Sequence, residues 1–322
     1  MRVRETLQAS GLLIGALLLA SPARAADPVI IGAVGSSSAN AWPVLIGMKK
    51  GFFAASDIAV DTVYAQSNTG VIQQLTAGSI NVATSAGLVD PIRAIDKGAP
   101  IALVRIEIQA PPYALLAKRD IKGIAGLKGK TIIVGGAKDI TRIFVDRMLA
   151  PHGVKTGEFD YVFAGATNAR FSALQSGAVD AALLTAPFNF YAESAGFQNL
   201  GFTFDYLKDM PFAGMAVNRA WASANPKTVE KFVGVFVKSI GWFEDRRNRD
   251  EAVQMMVEFS KLKAADVERA YDFLRDKHLF EPSGKVSRAK LNLVVAALRD
   301  LGDVGELSVD KLILPGVTQL VD

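Results

Sequence analysis

The chain of 322 residues contains no cysteine. That absence removes disulfides, thiolate nucleophiles, zinc–thiolate sites and iron–sulfur clusters from consideration. Histidine is nearly absent too, with only His152 and His278. A metal site normally needs several histidines or carboxylates converging, and neither histidine has such company at a suitable spacing. A Ser–His–Asp arrangement would have to use one of these two, and no G-x-S-x-G elbow accompanies them. Gly135-Gly136 lacks the further glycine and the acidic partner of a dinucleotide loop. No block of lysine and arginine is interleaved with aromatics, so no nucleic-acid partner is expected. The basic residues from Lys227 to Arg249 are mixed with Glu230, Glu244 and Asp245 and read as the solvated face of a helix. No catalytic residue, metal or cofactor is expected on these grounds.

The apolar run at the start, Gly11 to Ala20, falls short of the roughly 20 residues that a bilayer core requires. Arg2 and Arg4 precede it, Ser21-Pro22 breaks it, and Ala23-Arg24-Ala25 places small residues where a signal peptidase reads. Residues 1–25 are therefore read as a secretory signal peptide cleaved after Ala25, the alternative being an uncleaved anchor. With no cysteine to carry a lipid, a freely soluble protein of a Gram-negative periplasm fits better than a lipoprotein. The remainder is long enough for two domains. Losing Arg2, Arg4, Arg24 and Glu5 lowers the formal net charge from +4 to about +2.

Beyond residue 25, strand-like and helix-like segments alternate. Val29 to Val34, Asp57 to Ala65, Asn81 to Thr84 and Pro100 to Ile108 read as strands, being short apolar or β-branched runs. The segments 41–53, 69–77 and 88–97 between them read as helices. This order predicts a mostly parallel sheet covered by helices. The pattern then restarts, with strands at 130–134, 160–164 and 179–184 and a last one within 197–204. Helices are expected at 139–149, 168–175 and 187–195. From Pro226 onward the chain is mainly helical, with Phe232, Val235, Phe236 and Ile240 at helical spacing. The expected fold is α/β and two-lobed, with a cleft between the lobes and a helical tail. One lobe takes residues 26–108, the other 109–213, and 214–322 returns to the first. Crossings are expected near 109–118 and 210–218.

Four stretches carry a family resemblance. They are Ile46-Gly47-Met48-Lys49-Lys50-Gly51-Phe52-Phe53, Gln74-Leu75-Thr76-Ala77-Gly78-Ser79-Ile80-Asn81-Val82-Ala83, Gly126-Leu127-Lys128-Gly129-Lys130, and Ala173-Leu174-Gln175-Ser176-Gly177-Ala178-Val179-Asp180-Ala181-Ala182 followed by Ala186-Pro187. Their order and spacing resemble those of periplasmic solute-binding proteins of the SsuA/TauA and NMT1/THI5-like family. Asn81 stands where that family usually has Asp, and the usual E-G-L before the second strand is missing. The resemblance implies the type II binding-protein fold and a monomer in the periplasm. It also implies delivery of a small molecule to the permease of an ABC importer in the inner membrane. Two alternatives stay open. The thiamine-pyrimidine synthases share this fold, but they carry a cysteine-rich motif that this chain lacks. A binding protein that serves a membrane sensor would leave no distinguishing motif.

In such a fold the ligand is expected at the strand ends. After the first strand, Ser36, Ser37, Ser38, Asn40 and Trp42 combine hydroxyls, an amide and an indole at a helix start. Ser67, Asn68 and Thr69 follow the second strand and Ser85 the third. In the other lobe the strand ends supply Thr141, Arg142, Thr167, Asn168 and Thr185. Arg142 is the expected clamp for a carboxylate or sulfonate, because its planar fork binds two oxygens; a structural ion pair with Asp139 or Asp146 is the alternative. Trp42, Tyr113, Phe188 and Phe212 are candidates for a stacking wall. Helix starts and serines together suggest an anionic organic solute such as a sulfonate, a carboxylate or an aromatic acid; a pyrimidine-like one is the other possibility. Gly78 and Gly177 are expected to be scaffold, reversing the chain at helix ends.

Overall fold

The computed structural model describes residues 26–35 and 37–322. The expected signal peptide and Ser36 lie outside the described residues. The first part of the chain runs β1 (Asp27–Val34), α1 (Trp42–Lys49), β2 (Ile58–Ala65), α2 (Asn68–Ala77), β3 (Val82–Gly87), α3 (Val89–Asp96) and β4 (Ile101–Ile108). It continues through β5 (Tyr113–Ala117), β6 (Thr131–Val134), α4 (Ile140–Leu149), β7 (Asp160–Phe163), α5 (Thr167–Gln175), β8 (Ala181–Thr185), α6 (Phe188–Ser194), β9 (Gln198–Phe202), α7 (Phe204–Leu207) and β10 (Ala213–Asn218). Helices α8 (Arg219–Ala224), α9 (Pro226–Glu244), α10 (Arg249–Ser260), α11 (Ala264–Asp276) and α12 (Arg288–Asp300) follow. No helix among the described residues is long and apolar enough to cross a membrane.

The strands form two five-stranded sheets of the same plan, β2-β1-β3-β10-β4 and β7-β6-β8-β5-β9. In each, the first three strands of the unit run parallel, as βαβ connections require. The crossing segments depart from expectation. Half of 109–118 and most of 210–218 are not linker but strand. β5 lies antiparallel between β8 and β9, and β10 antiparallel between β3 and β4. Each crossing strand enters the sheet from the opposite end, which a strand leaving one sheet for the other must do. Residues 109–112 lead into β5, and residues 208–212, after α7, lead into β10.

The two units also share their turns. Gly78 and Gly177 have φ of 77° and 78°, a left-handed conformation that costs glycine nothing. Asp180 accepts from Thr131 N (3.0 Å) and from Lys118 Nζ (2.8 Å). At the equivalent turn Asn81 Oδ1 accepts from Ile30 N (2.8 Å). An amide oxygen thus does at this turn the acceptor's work that a carboxylate does at the other. The C-terminal helices close the structure. α9 buries Phe232, Val235, Phe236 and Ile240 and packs on α1, while α11 packs on both α10 and α6.

Candidate functional site

The carboxyl ends of the parallel strands of both sheets meet at one cleft, as open α/β sheets dictate. From the first sheet it is lined by Ser37, Ser38, Asn40, Thr62, Tyr64, Asn68, Thr84 and Ser85. The second contributes Tyr113, Asp139, Thr141, Gly165, Thr167, Asn168, Arg170 and Thr185, and Phe212 comes from a crossing segment. The cavity is narrow, about 70 Å³, because its rims touch. Ala39 N donates to Ala186 O across the gap (2.9 Å). A Cβ on Gly165 would come within 2.0 Å of Gln66 O.

Local structure explains why these side chains face inward. Ser38 caps the helical turn before α1, its Oγ accepting from Asn40 N (3.2 Å). Asp139 caps α4, its Oδ1 accepting from Thr141 N (2.9 Å) and Thr141 Oγ1 (2.5 Å). Thr141 Oγ1 in turn accepts from Gly135 N (2.8 Å). Thr167 Oγ1 accepts from Thr185 N (3.2 Å), tying the start of α5 to the end of β8. Ser85 is held with φ of 52°. Its Oγ donates to Asn40 O (3.1 Å) and its N–H to the buried carboxylate of Glu107.

Of the residues expected to touch a ligand, Ser37, Ser38, Asn40, Asn68, Ser85, Tyr113, Thr141, Thr167, Asn168, Thr185 and Phe212 line this cleft. Five others do not. Trp42 is fully buried among Phe243 and Tyr271, with its Nε1 donating to Ala252 O (2.8 Å). As first residue of α1 it faces the C-terminal helices. Phe188 is core against Phe171. Ser67 caps α2 through Gly70 N (3.1 Å), and Thr69 Oγ1 donates to Asp90 (3.2 Å). Arg142 follows Thr141 by one residue, which turns it about 100° around α4 and away from the cleft. It donates to Ala137 O (3.0 Å), lies 3.9 Å from Asp146 and covers the Tyr161 ring.

The cation in the cleft is instead Arg170, which the sequence reading missed. It sits one turn into α5 and is 2% exposed. Its Nε donates to Leu183 O (2.7 Å) and its Nη1 to Ala164 O (3.0 Å) and Gly165 O (2.6 Å). The guanidinium also lies against the Tyr113 ring. Burial lowers the Arg170 pKa and raises that of the Tyr113 hydroxyl. A single charge in α5, whose other residues carry none, was the available signal. Two carboxyls stand behind the cleft, Glu107 buried and Asp90 partly buried. Glu107 is pushed up to about 7, chiefly by burial, and Asp90 to about 6 by burial and by the charge of Asp139. Among the described residues no group of three or more His, Asp or Glu could hold a metal. Neither histidine lines the cleft: His152 pairs with Tyr206 (2.9 Å) and His278 lies beside Glu244 (3.6 Å).

Comparison with known proteins gives three kinds of result. A family model described as NMT1/THI5 like matches residues 38–246. No curated protein matches significantly. Among solved structures, a Bordetella bronchiseptica protein is similar over 92% of this chain and 94% of its own, at 23% identity and a TM-score of 0.74. The alkanesulfonate-binding protein SsuA from Xanthomonas axonopodis pv. citri, bound to MOPS, is similar over 91% and 98%, at 17% identity and 0.73. The desulfurization enzyme DSZB is similar over 90% and 97%, at 14% identity and 0.66. At these identities the likeness is one of fold, and the fold is that of the periplasmic binding proteins.

Proposed function

The chain belongs to the NMT1/THI5-like family, and from that premise we propose that it binds a small organic solute in the cleft between its two sheets. The bound solute is delivered to the permease of an ABC importer, and the binding protein works as a periplasmic monomer. The observation that carries this reading is the convergence of hydroxyl and amide side chains from the strand ends of both sheets on one cavity. The family's sulfonate-binding and nitrate-binding neighbours support it. The enzyme reading has less support. With both histidines elsewhere, the cleft offers no neutral imidazole for proton transfer near neutral pH. Its one cation is committed to backbone carbonyls.

An anionic group, the class suggested by those neighbours, has one seat. Ala166 before α5 supplies no side-chain cap; Ala169 N–H is taken by Asn168 Oδ1 (3.0 Å), which leaves the N–H groups of Thr167 and Asn168, both lining the cleft. The starts of α2 and α4 are already capped by Ser67 and Asp139.

The test is a thermal-shift screen of sulfonates, carboxylates, pyrimidines and aromatic acids. A solute that binds only the folded chain at a hundred times its Kd adds about 2.7 kcal/mol to stability, so a rise in melting temperature is expected for one class. Turnover of a compound without any such rise would favour the enzyme instead.

A further inference from the structure

Residues fall out of register on both sides of β10. In β3, Ala83 pairs with Ala216 and Ala86 with Gly214, so Thr84 and Ser85 stand opposite the single residue Met215. In β4, Ile106 pairs with Gly214 and Ile108 with Ala213, so Glu107 between them has no residue opposite it. Such bulges bend a strand and re-aim its side chains. Here they let β3 and β4 touch across β10, with Ser85 N–H donating to the Glu107 carboxyl. The packing gives little in return for a carboxyl at this place. Glu107 is buried, burial opposes its charge, and one of its oxygens has no partner. Arg105, two residues away, gives its hydrogen bonds to Ile106 O and to Glu281 instead. Among the described residues, the bond from Ser85 is the only one that the Glu107 carboxyl makes. A group kept against its local environment for one bond points to a use for that bond. The bond leads to the cleft. Ser85 has φ of 52°, a conformation that a serine seldom holds unaided. In it the Oγ–H reaches Asn40 O (3.1 Å). Ser85 and Asn40 both line the cavity, and Ala39, next to Asn40, makes the rim contact to Ala186 O.

We propose that Glu107 is a positioning residue for the cleft: by holding Ser85 N–H it fixes the β3 bulge, and through the Ser85 hydroxyl it sets the turn at 39–41 that forms one wall and one rim of the cavity. This rests on the solute-binding reading above and deepens it, because it names a group behind the sheet, out of reach of the solute, on which the grip depends.

Amide hydrogen exchange followed by NMR tests the linkage without any solute. Glu107→Gln and Glu107→Met both remove the charge beside Arg105, and only Gln keeps an acceptor for Ser85. In Glu107→Met the amides of Ser85, Ala39 and Asn40 should exchange about tenfold faster, as the loss of one such bond implies. Glu107→Gln should restore the parent's rates. Ser85→Ala cuts the second link and should free Ala39 and Asn40 alike, so the test stands even where Glu107→Met does not fold. Faster exchange at Ser85 alone, with 39–41 as in the parent, would overturn the inference. So would equal effects in the Gln and Met variants, or a loss of protection spread evenly over the sheet, which would make Glu107 a support of the fold only. Calorimetry with MOPS and benzoate as probes reads the consequence for binding. A probe that the parent binds should lose about tenfold in affinity in Glu107→Met and recover it in Glu107→Gln; unchanged affinity in the Met variant would overturn the inference too. If the parent binds neither probe, that counts against the solute reading for these classes, and the exchange rates decide on Glu107 by themselves.

Discussion

At the scale of single residues, Glu107 is the least comfortable group in the molecule. It lies on β4, 3% exposed, with Arg105 two residues away, Ser85 N–H on one oxygen and no partner on the other. Burial outweighs the help from Arg105 and raises its pKa to about 7. The sign follows directly. Between the unfolded value near 4.5 and about 7, the folded chain keeps a proton that the unfolded chain has lost, so stability falls as pH rises through that window and levels off above it. The shift corresponds to on the order of 3 kcal/mol. Melting temperatures recorded from pH 5 to pH 8 should therefore decline. In Glu107→Gln, whose amide oxygen still accepts from Ser85, most of that slope should vanish, leaving the smaller share due to Asp90. A slope unchanged in Glu107→Gln would mean that Glu107 is already ionised at pH 5. Trp42 shows the opposite lesson about legibility. Beside a run of serines its indole looked like a ligand contact, yet α1 turns it into the packing against α9 and α11. Which face of a short helix points inward depends on partners some 200 residues away, and local sequence does not carry that information. Trp42→Ala should cost about 3–5 kcal/mol of stability, with solute affinity unchanged in the folded fraction. A variant that melts normally and fails to bind would return Trp42 to the site.

At the scale of elements, the repeated unit was legible because each βαβ step has its own local signals. Leu75 and Leu174 pack their helices, Gly78 and Gly177 reverse the chain, and Asn81 and Asp180 open the next strand. The crossing strands were not legible. Tyr113–Ala117 and Ala213–Asn218 are short, wholly buried runs, and a run of that length reads equally as strand or as link until its neighbours are known. Their place is set by β8 and β9, and by β3 and β4, all distant in sequence. The two turns give a test of the repeat itself. A Cβ at Gly177 would meet nothing within 4 Å, and at Gly78 only Asn218 Nδ2 at 3.9 Å, so an alanine at either position suffers from the positive φ alone. Gly78→Ala and Gly177→Ala should each cost about 1 kcal/mol, which for a chain of this size lowers the melting temperature by about 2 °C. A much larger loss at one turn would show that it holds more than a chain reversal.

At the scale of the whole molecule, what matters is how freely the two sheets move against each other. Short segments at 109–112 and 208–212 lead into the crossing strands, which suits a hinge. α11 works against it. Tyr271 ties this helix to the first sheet's side, its hydroxyl donating to Phe243 O (2.7 Å) and its ring meeting Trp42. On the other side Phe273 stacks on Phe202 at 5.0 Å, Asp266 accepts from Ser194 Oγ (2.6 Å), and Arg269 pairs with Glu193. Opening the cleft must either loosen these contacts or pivot about them, so its amplitude should be small. Solution scattering with and without a saturating solute should show a modest fall in the radius of gyration on binding; a large fall would mean that α11 lets go of α6. The rim offers a direct way to hold the cleft open. Gly165 faces the backbone of Gln66 and Ser67 so closely that a methyl group would lie 2.0 Å from Gln66 O and 2.8 Å from Ser67 Cα. Backbone cannot swing aside as a flexible side chain would, so Gly165→Ala should wedge the rims apart. Few core contacts are touched, so the melting temperature without solute should stay close to that of the parent. The radius of gyration should rise slightly and the solute should dissociate faster, because the strand ends of the two sheets can no longer reach it together. If Gly165→Ala instead binds with unchanged affinity and shows an unchanged radius, the contact at Gln66 is soft. The touching rims would then not be what makes the cavity narrow.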